Sequence, residues 1–94
     1  MRHQSLLLII RGEIKLARDK RDEASRAFGN ALELAKNLGA IPIVTEAEFG
    51  LARCALASND RAAAIAGGRQ AQHLFIDIGH FKAELVRRWL VEAG

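Results

Sequence analysis

Cysteine, proline and aromatic residues are all scarce in this sequence, and each scarcity excludes something. Among 94 residues there is one Cys, one Pro, one Trp, four Phe and no Tyr. A single cysteine excludes an internal disulfide and is typical of a reducing cytoplasm. Half of the residues are hydrophobic. Because Ala is common among them and Pro is nearly absent, the composition favours helices.

Long runs of one charge are missing as well. The 14 Lys and Arg residues are mixed with 11 acidic residues, which gives a net charge of +3. Proteins that bind nucleic acid usually concentrate Lys and Arg on one face, so this composition makes nucleic acid a minor alternative partner. The apolar run at 6–10 is too short for a secretory signal or a membrane span. We therefore expect a cytoplasmic chain with no membrane partner.

An offset of 40 residues relates the two halves of the sequence. Between 24 and 38, apolar or small residues recur at the i, i+3, i+4, i+7 spacing of one helix face, and the same holds between 64 and 78. A second stripe precedes each of these, and the offset pairs its members: Leu7 with Ala47, Ile10 with Gly50, Ile14 with Cys54, and Ala17 with Ala57. Each repeat is therefore predicted to contain two amphipathic helices. The predicted helices span about 3–18, 21–38, 42–58, 61–78 and 81–93.

Polar residues and glycines separate the predicted helices. Asp19 and Asn59 are favourable N-cap residues for the second helix of each repeat. Gly39 and Gly79 stand where a helix often ends with a left-handed residue, which Gly adopts without steric cost. Pro42 suits the first turn of the third helix, where its missing N–H is not needed. A capping box from Thr45 to Glu48 is an alternative start for the same helix.

Small residues at fixed places in this pattern resemble the tetratricopeptide repeat family, in the longer form of about 40 residues found in bacterial signalling proteins. The family's close helix packing is matched by Gly12 with Ala24 and by Ala52 with Ala64, while Gly68 replaces an expected large residue. The resemblance implies an all-α fold of antiparallel helix hairpins stacked as a short right-handed α-solenoid. It divides one domain, 1–94, into repeat 1 (3–39), repeat 2 (42–79) and a partial third repeat or capping helix (81–93). The residues that it assigns to repeat packing are Gly12, Ala24, Phe28, Ala31, Ala52, Ala64, Gly68 and Ala71.

The run Gly67-Gly68-Arg69 raises the possibility of a phosphate-binding loop. Such a loop normally follows a strand and precedes a helix, whereas both glycines here lie on the stripe of the fourth predicted helix. We therefore expect no nucleotide cofactor. The gap at Gly68 needs to be filled by a closer neighbouring helix, by Phe75 and Phe81, or by a second molecule.

No pattern of catalytic or metal-binding residues is recognisable. The three histidines, His3, His73 and His80, lack metal-ligand spacing with one another and with Cys54. Cys54 lies on an apolar stripe, where a thiol behaves as a small hydrophobe, and Glu46 and Glu48 fall on different sides of a helix. We expect neither an enzyme nor a metal or cofactor site.

The resemblance implies a concave surface that binds a protein or peptide partner and is lined by the first helix of each repeat. The residues carried over to it are Ile9, Glu13, Leu16, Glu46, Phe49, Arg53 and Trp89. Three of these, Ile9, Phe49 and Trp89, form a ladder with steps of 40 residues, and the alternative is that they only pack between helices.

The function expected from this resemblance is a protein–protein interaction module in a bacterial signalling or transcription-regulatory protein. Self-association is an alternative, because the terminal helices are rich in apolar residues and a homo-oligomer would cover them. A nucleic-acid-binding accessory is the third alternative and requires the Arg residues to converge on one face.

Overall fold

Five helices make up the described part of the chain. The computed structural model describes residues 2–79 and 82–93, with side chains from residue 4 onward. The helices are α1 (Arg2–Ala17), α2 (Arg21–Leu38), α3 (Ile41–Ala57), α4 (Arg61–Asp77) and α5 (Lys82–Ala93), and these residues contain no strand. The predicted all-α class is confirmed, and every helix begins and ends within one residue of its predicted limit.

Each helix packs against the next one in the chain, and α3 also contacts α1. The resulting body measures 35 × 31 × 17 Å. Because one helix with its side chains is about 10–12 Å thick, the short dimension leaves every helix with a face open to solvent. This is a helical repeat arrangement.

Residues in the left-handed conformation recur every 20 positions, once in the described part of each connection between helices. Asp19, Gly39, Asn59 and Gly79 have φ values of 60°, 67°, 66° and 67°. After the first and third of these, the N–H of Lys20 donates to the Lys15 carbonyl at 2.8 Å, and the N–H of Asp60 donates to the Ala55 carbonyl at 2.8 Å. These bonds satisfy carbonyls that would be unpaired at a helix end. The left-handed conformation predicted for both glycines is confirmed.

The prediction that Asp19 and Asn59 are N-caps is wrong. They occupy the left-handed turn positions, which Asp and Asn tolerate better than other residues with a Cβ, and the N-cap falls one residue later. At α4 the N-cap is Asp60, whose Oδ1 accepts from the Ala63 N–H at 3.2 Å. At α2 the N-cap is Lys20, which makes no side-chain capping bond.

A pair of substitutions at this turn tests the corrected assignment. We expect Asp60→Ala to lower the free energy of unfolding by about 1 kcal/mol, because it removes the cap of α4. Asn59→Gly should leave stability unchanged or slightly raised, since Gly adopts positive φ freely. Urea titrations monitored by circular dichroism would measure both. A larger loss for Asn59→Gly than for Asp60→Ala would contradict the assignment.

Phe28 forms the centre of the first core, between α1, α2 and α3. It is fully buried, and its ring lies against two glycines. A Cβ at Gly12 would stand 2.8 Å from the ring, and one at Gly50 would be closer still. These glycines therefore allow α1 and α3 to approach one aromatic side chain from two directions.

Gly67 and Gly68 lie inside α4, so the helical interpretation of this run is confirmed. The space beside Gly68 is filled by α5, because a Cβ there would stand 2.6 Å from Trp89 and 2.8 Å from Leu90. Of the predicted alternatives, the neighbouring helix therefore occupies this space. Phe81, another candidate, lies outside the described residues. The second core gathers here around Phe49, Ala71, Phe75 and Val86. All the residues assigned to repeat packing are buried: Gly12, Ala24, Phe28, Ala31, Ala52, Ala64, Gly68 and Ala71.

Candidate functional site

A groove on the surface brings together side chains from α1, α3 and α5. Its cavity has a volume of about 220 Å³ and is lined by Glu13, Glu46, Phe49, Arg53, Lys82 and Leu85. Four of these residues were predicted to form the partner-binding surface: Glu13, Glu46, Phe49 and Arg53. The fold therefore places them in one continuous site, which we call the central groove.

Arg53 is the most constrained charged side chain of the central groove. Its guanidinium carbon lies 5.1 Å from the centre of the Phe49 ring and 5.8 Å from that of Phe28. Nη2 is 3.7 Å from Oε1 of Glu13, whereas the buried Nε has no hydrogen-bond partner. The aromatic rings favour the cation electrostatically, and the Arg53 side chain, which lines the groove, is 30% exposed.

Two ion pairs connect the three helices across the central groove. Glu13 and Arg53 connect α1 to α3, and Glu46 and Lys82 connect α3 to α5. Both members of the second pair are partly buried, so water screens them less than an exposed pair. The groove therefore carries alternating charges above an apolar floor.

The three ladder residues, Ile9, Phe49 and Trp89, lie in different surroundings in the structure. Ile9 is only 4% exposed and belongs to the first core, with half-buried Leu16 packed against that core. Trp89 stacks edge-on against Phe49, with ring centres 5.2 Å apart, and also abuts Gly68. Ile9, Leu16 and Trp89 do not line the cavity. Burial does not separate Ile9 from Phe49, which is 6% exposed. Position does, because Phe49 is the one ladder residue that lines the cavity.

Lys82 and Leu85 line the groove but were not assigned to it from the sequence. They lie on the same side of α5 as Trp89, at i, i+3 and i+7 spacing. That spacing was the sequence signal that could have assigned Lys82 and Leu85 to the groove. Leu85 is 55% exposed and forms the rim of the groove.

Other titratable and metal-binding candidates do not form a second site. Among the described residues, no group of three His, Cys, Asp or Glu residues could hold a metal ion. Cys54 is buried, and exposed His73 lies 3.6 Å from Asp77 on its own helix. The side chains of His3 and His80 lie outside the described part of the structure. None of the five described helices has both the length and the hydropathy that crossing a membrane needs.

Basic residues also gather outside the groove, among other places on α5 and between α1 and α2. On α5, Arg87 donates to Glu84 at 2.6 and 3.0 Å, and Arg88 lies 3.8 Å from the same carboxylate. The hydrogen bond with Arg87 lowers the pKa of exposed Glu84. Between α1 and α2, a cleft is lined by Arg11, Lys15 and Arg26, but Glu23 is 3.6 Å from Lys15. Each cluster thus includes a carboxylate.

The geometry of the central groove can hold a ligand but supplies no nucleophile paired with a base. Its polar groups are two carboxylates, one guanidinium and one ammonium, which form two ion pairs with one another.

Comparison of the chain with models of known families, with curated proteins and with solved structures finds no match.

Proposed function

We propose that this chain is a protein–protein interaction module that binds a peptide segment of a partner in the central groove. The observation that carries the proposal is the convergence of Glu13, Phe49, Arg53 and Leu85 from three helices on one cavity. Leu85 is 55% exposed and the Arg53 side chain is 30% exposed, whereas Phe49 is 6% exposed and lies beneath them. Aromatic residues and Arg are enriched at protein interfaces, and Arg is among the residues that supply much of their binding energy. The resemblance to tetratricopeptide repeats, in which the first helices line the binding surface, points to the same face.

The chemistry of the groove favours a ligand with one apolar side chain and one carboxylate. The apolar side chain would lie against Leu85 and the edge of Phe49. The carboxylate would approach Arg53, whose present partner Glu13 is about half exposed and 3.7 Å away. Because Glu13 is held so loosely, a ligand carboxylate can replace it at modest cost.

A wider role in a bacterial signalling or transcription-regulatory protein is part of the proposal. The family resemblance supports that context. The fold alone does not, because the same fold serves many functions.

Selection from a random peptide library, displayed on phage and panned on the whole chain, tests the groove. We expect Leu85→Glu to weaken binding of the selected peptides at least tenfold, because it places a charge on the apolar rim. The matched control is Val91→Glu, since Val91 lies on the same helix, is 71% exposed and does not line the groove. It should leave affinity within twofold of the original.

Isothermal titration calorimetry of the selected peptides measures these affinities. The groove proposal fails if no peptide is enriched, or if Leu85→Glu and Val91→Glu have equal effects. Circular dichroism of both variants checks that the helices are retained.

Self-association is a second candidate function, and one observation favours it. α1 exposes Leu6, Leu7, Ile10 and Ile14, each between 40% and 53%. Apolar side chains grouped in this way mark interaction surfaces. Molar mass by light scattering over a wide concentration range tests it, and a constant monomer mass would exclude it.

A further inference from the structure

The first helix is apolar on two faces. One face carries Ser5, Ile9 and Gly12, which are buried, and points into the first core. The other face carries Leu6, Leu7, Ile10 and Ile14, which are all exposed. We call these four residues the outer stripe. No helix of the described chain covers it, so the stripe leaves unburied the kind of surface that normally drives packing.

The repeat offset shows what normally covers this face. Forty residues after Leu7, Ile10 and Ile14 stand Ala47, Gly50 and Cys54, and all three are buried. The helix that covers them is α2, whose Phe28 ring abuts Gly50. The outer stripe is thus the α1 counterpart of the surface on which α3 receives α2.

Side-chain size at the contact indicates which kind of helix fits α1. Where the receiving helix has Gly50, the covering helix has the large Phe28. Forty residues later the sizes are exchanged, because Leu90 of α5 lies against Gly68 of α4. Ile10 is 80 residues before Leu90 and is similarly large. A helix that covers the outer stripe should therefore have Gly or Ala opposite Ile10.

The charged residues beside the outer stripe indicate which side chains should flank the apolar face of the bound helix. Arg11 stands at the position of Leu51, which is partly buried against the first core, and Arg18 lies one turn beyond Ile14. Neither arginine forms an ion pair within the described part of the chain. Two unpaired cations beside an apolar stripe are complementary to carboxylates on the occupant.

A second copy of the chain fits the stripe less well than a separate helix. The faces of α2 and α4 that could cover it already hold α3 and α5. Antiparallel pairing of two α1 helices about Ile10 would bring the Arg11 side chains of both copies together, and like charges oppose association.

We propose that the outer stripe of α1 binds one amphipathic helix of a partner protein, with Gly or Ala facing Ile10 and Asp or Glu beside Arg11 and Arg18. This inference rests on the proposed function as an interaction module, but it uses a different surface from the central groove. The bound helix takes the position against α1 that α2 takes against α3.

A fluorescent peptide with the sequence of residues 61–77, carrying Arg61→Glu and Arg69→Glu, is a suitable probe. Its parent helix already accepts a large aliphatic side chain at Gly68, and the two substitutions provide acidic margins. Fluorescence anisotropy with the whole chain should show saturable binding. The same peptide with Gly68→Phe should bind at least tenfold more weakly, and the unsubstituted basic peptide should also bind more weakly.

Variants of the whole chain locate the binding. We expect Ile10→Asp and Ile14→Asp each to weaken binding of the acidic peptide at least tenfold, while Val91→Asp leaves it within twofold. Circular dichroism checks that each variant is folded. Two stripe variants are used so that the test still stands if one of them does not fold. Absence of saturable binding, or equal binding by both stripe variants and the original chain, overturns the proposal.

Two further outcomes separate this proposal from its rivals. Loss of peptide binding in Leu85→Glu, with both stripe variants unaffected, would assign the helix to the central groove and overturn the stripe. A dimer in sedimentation velocity that Ile10→Asp converts to monomer would show that a second copy occupies the stripe, and would also overturn it. If library peptides fail to bind the groove while the acidic helix binds the stripe, only the groove proposal fails.

Discussion

Phe28→Ala is expected to destabilise the chain by about 3–5 kcal/mol, the usual cost of removing a buried aromatic side chain when the space does not refill. Phe28 is fully buried, and the residues on either side of its ring, Gly12 and Gly50, have no side chains to move into the cavity. Since a domain of this size is stable by only about 5–15 kcal/mol, the variant should lose much of its stability. Urea denaturation at constant temperature would measure the loss.

A size exchange tests whether the contact between Phe28 and Gly50 is the cause. Gly50→Leu alone should also be strongly destabilising, because even a Cβ at this position collides with the ring. The double variant Phe28→Ala with Gly50→Leu reproduces the arrangement of Gly68 and Leu90. It should be more stable than the sum of the single losses predicts. Additive losses would show that the two positions do not share one space.

Gly68→Leu should detach α5 from α4. A Cβ added at residue 68 would stand 2.6 Å from Trp89 and 2.8 Å from Leu90, and α5 cannot retain both contacts around a larger side chain. Overpacking of a core typically costs 1–3 kcal/mol, which we expect to appear mainly as local opening of the last helix. Trp89, the sole tryptophan, would report this as a red shift of its fluorescence and faster quenching by acrylamide.

Gly29→Ala is the matched control for a glycine inside a helix. Its added Cβ would meet no atom within 4 Å outside its own helix turn, so only helix propensity changes. The variant should gain about 0.5–1 kcal/mol and leave the tryptophan spectrum unchanged. A similar gain for Gly68→Leu would mean that Trp89 and Leu90 do not depend on the space beside Gly68.

The helices could be predicted because their periodic stripes and the residues between them agree on the boundaries. The capping residues could not, since Asp and Asn favour both N-caps and left-handed turns, and a sequence alone does not choose between neighbouring positions. The sequence left several candidates for the group that fills the space beside Gly68: a neighbouring helix, Phe75 and Phe81, or a second molecule. The distance between α4 and α5 decides among them.

The site was less predictable than the fold. Ile9, Phe49 and Trp89 occupy equivalent positions in sequence, but their neighbours differ, so one lies in the first core, one on the groove floor and one between helices. Lys82 joins the groove through its pairing with Glu46, which depends on how α3 and α5 sit across α4. Periodicity within one helix contains no information on that distance.

The packing of each helix mainly on its neighbours in the chain has a consequence for how the protein folds. Nearly all contacts between elements join consecutive helices, so little chain entropy opposes the formation of any one hairpin. Rapid folding, in microseconds to milliseconds, is typical of such local topology, and folding can nucleate in either half and propagate along the array. Because α5 is the shortest of the five helices and packs mainly against α4, unfolding should start there, and hydrogen exchange should be fastest in its backbone amides.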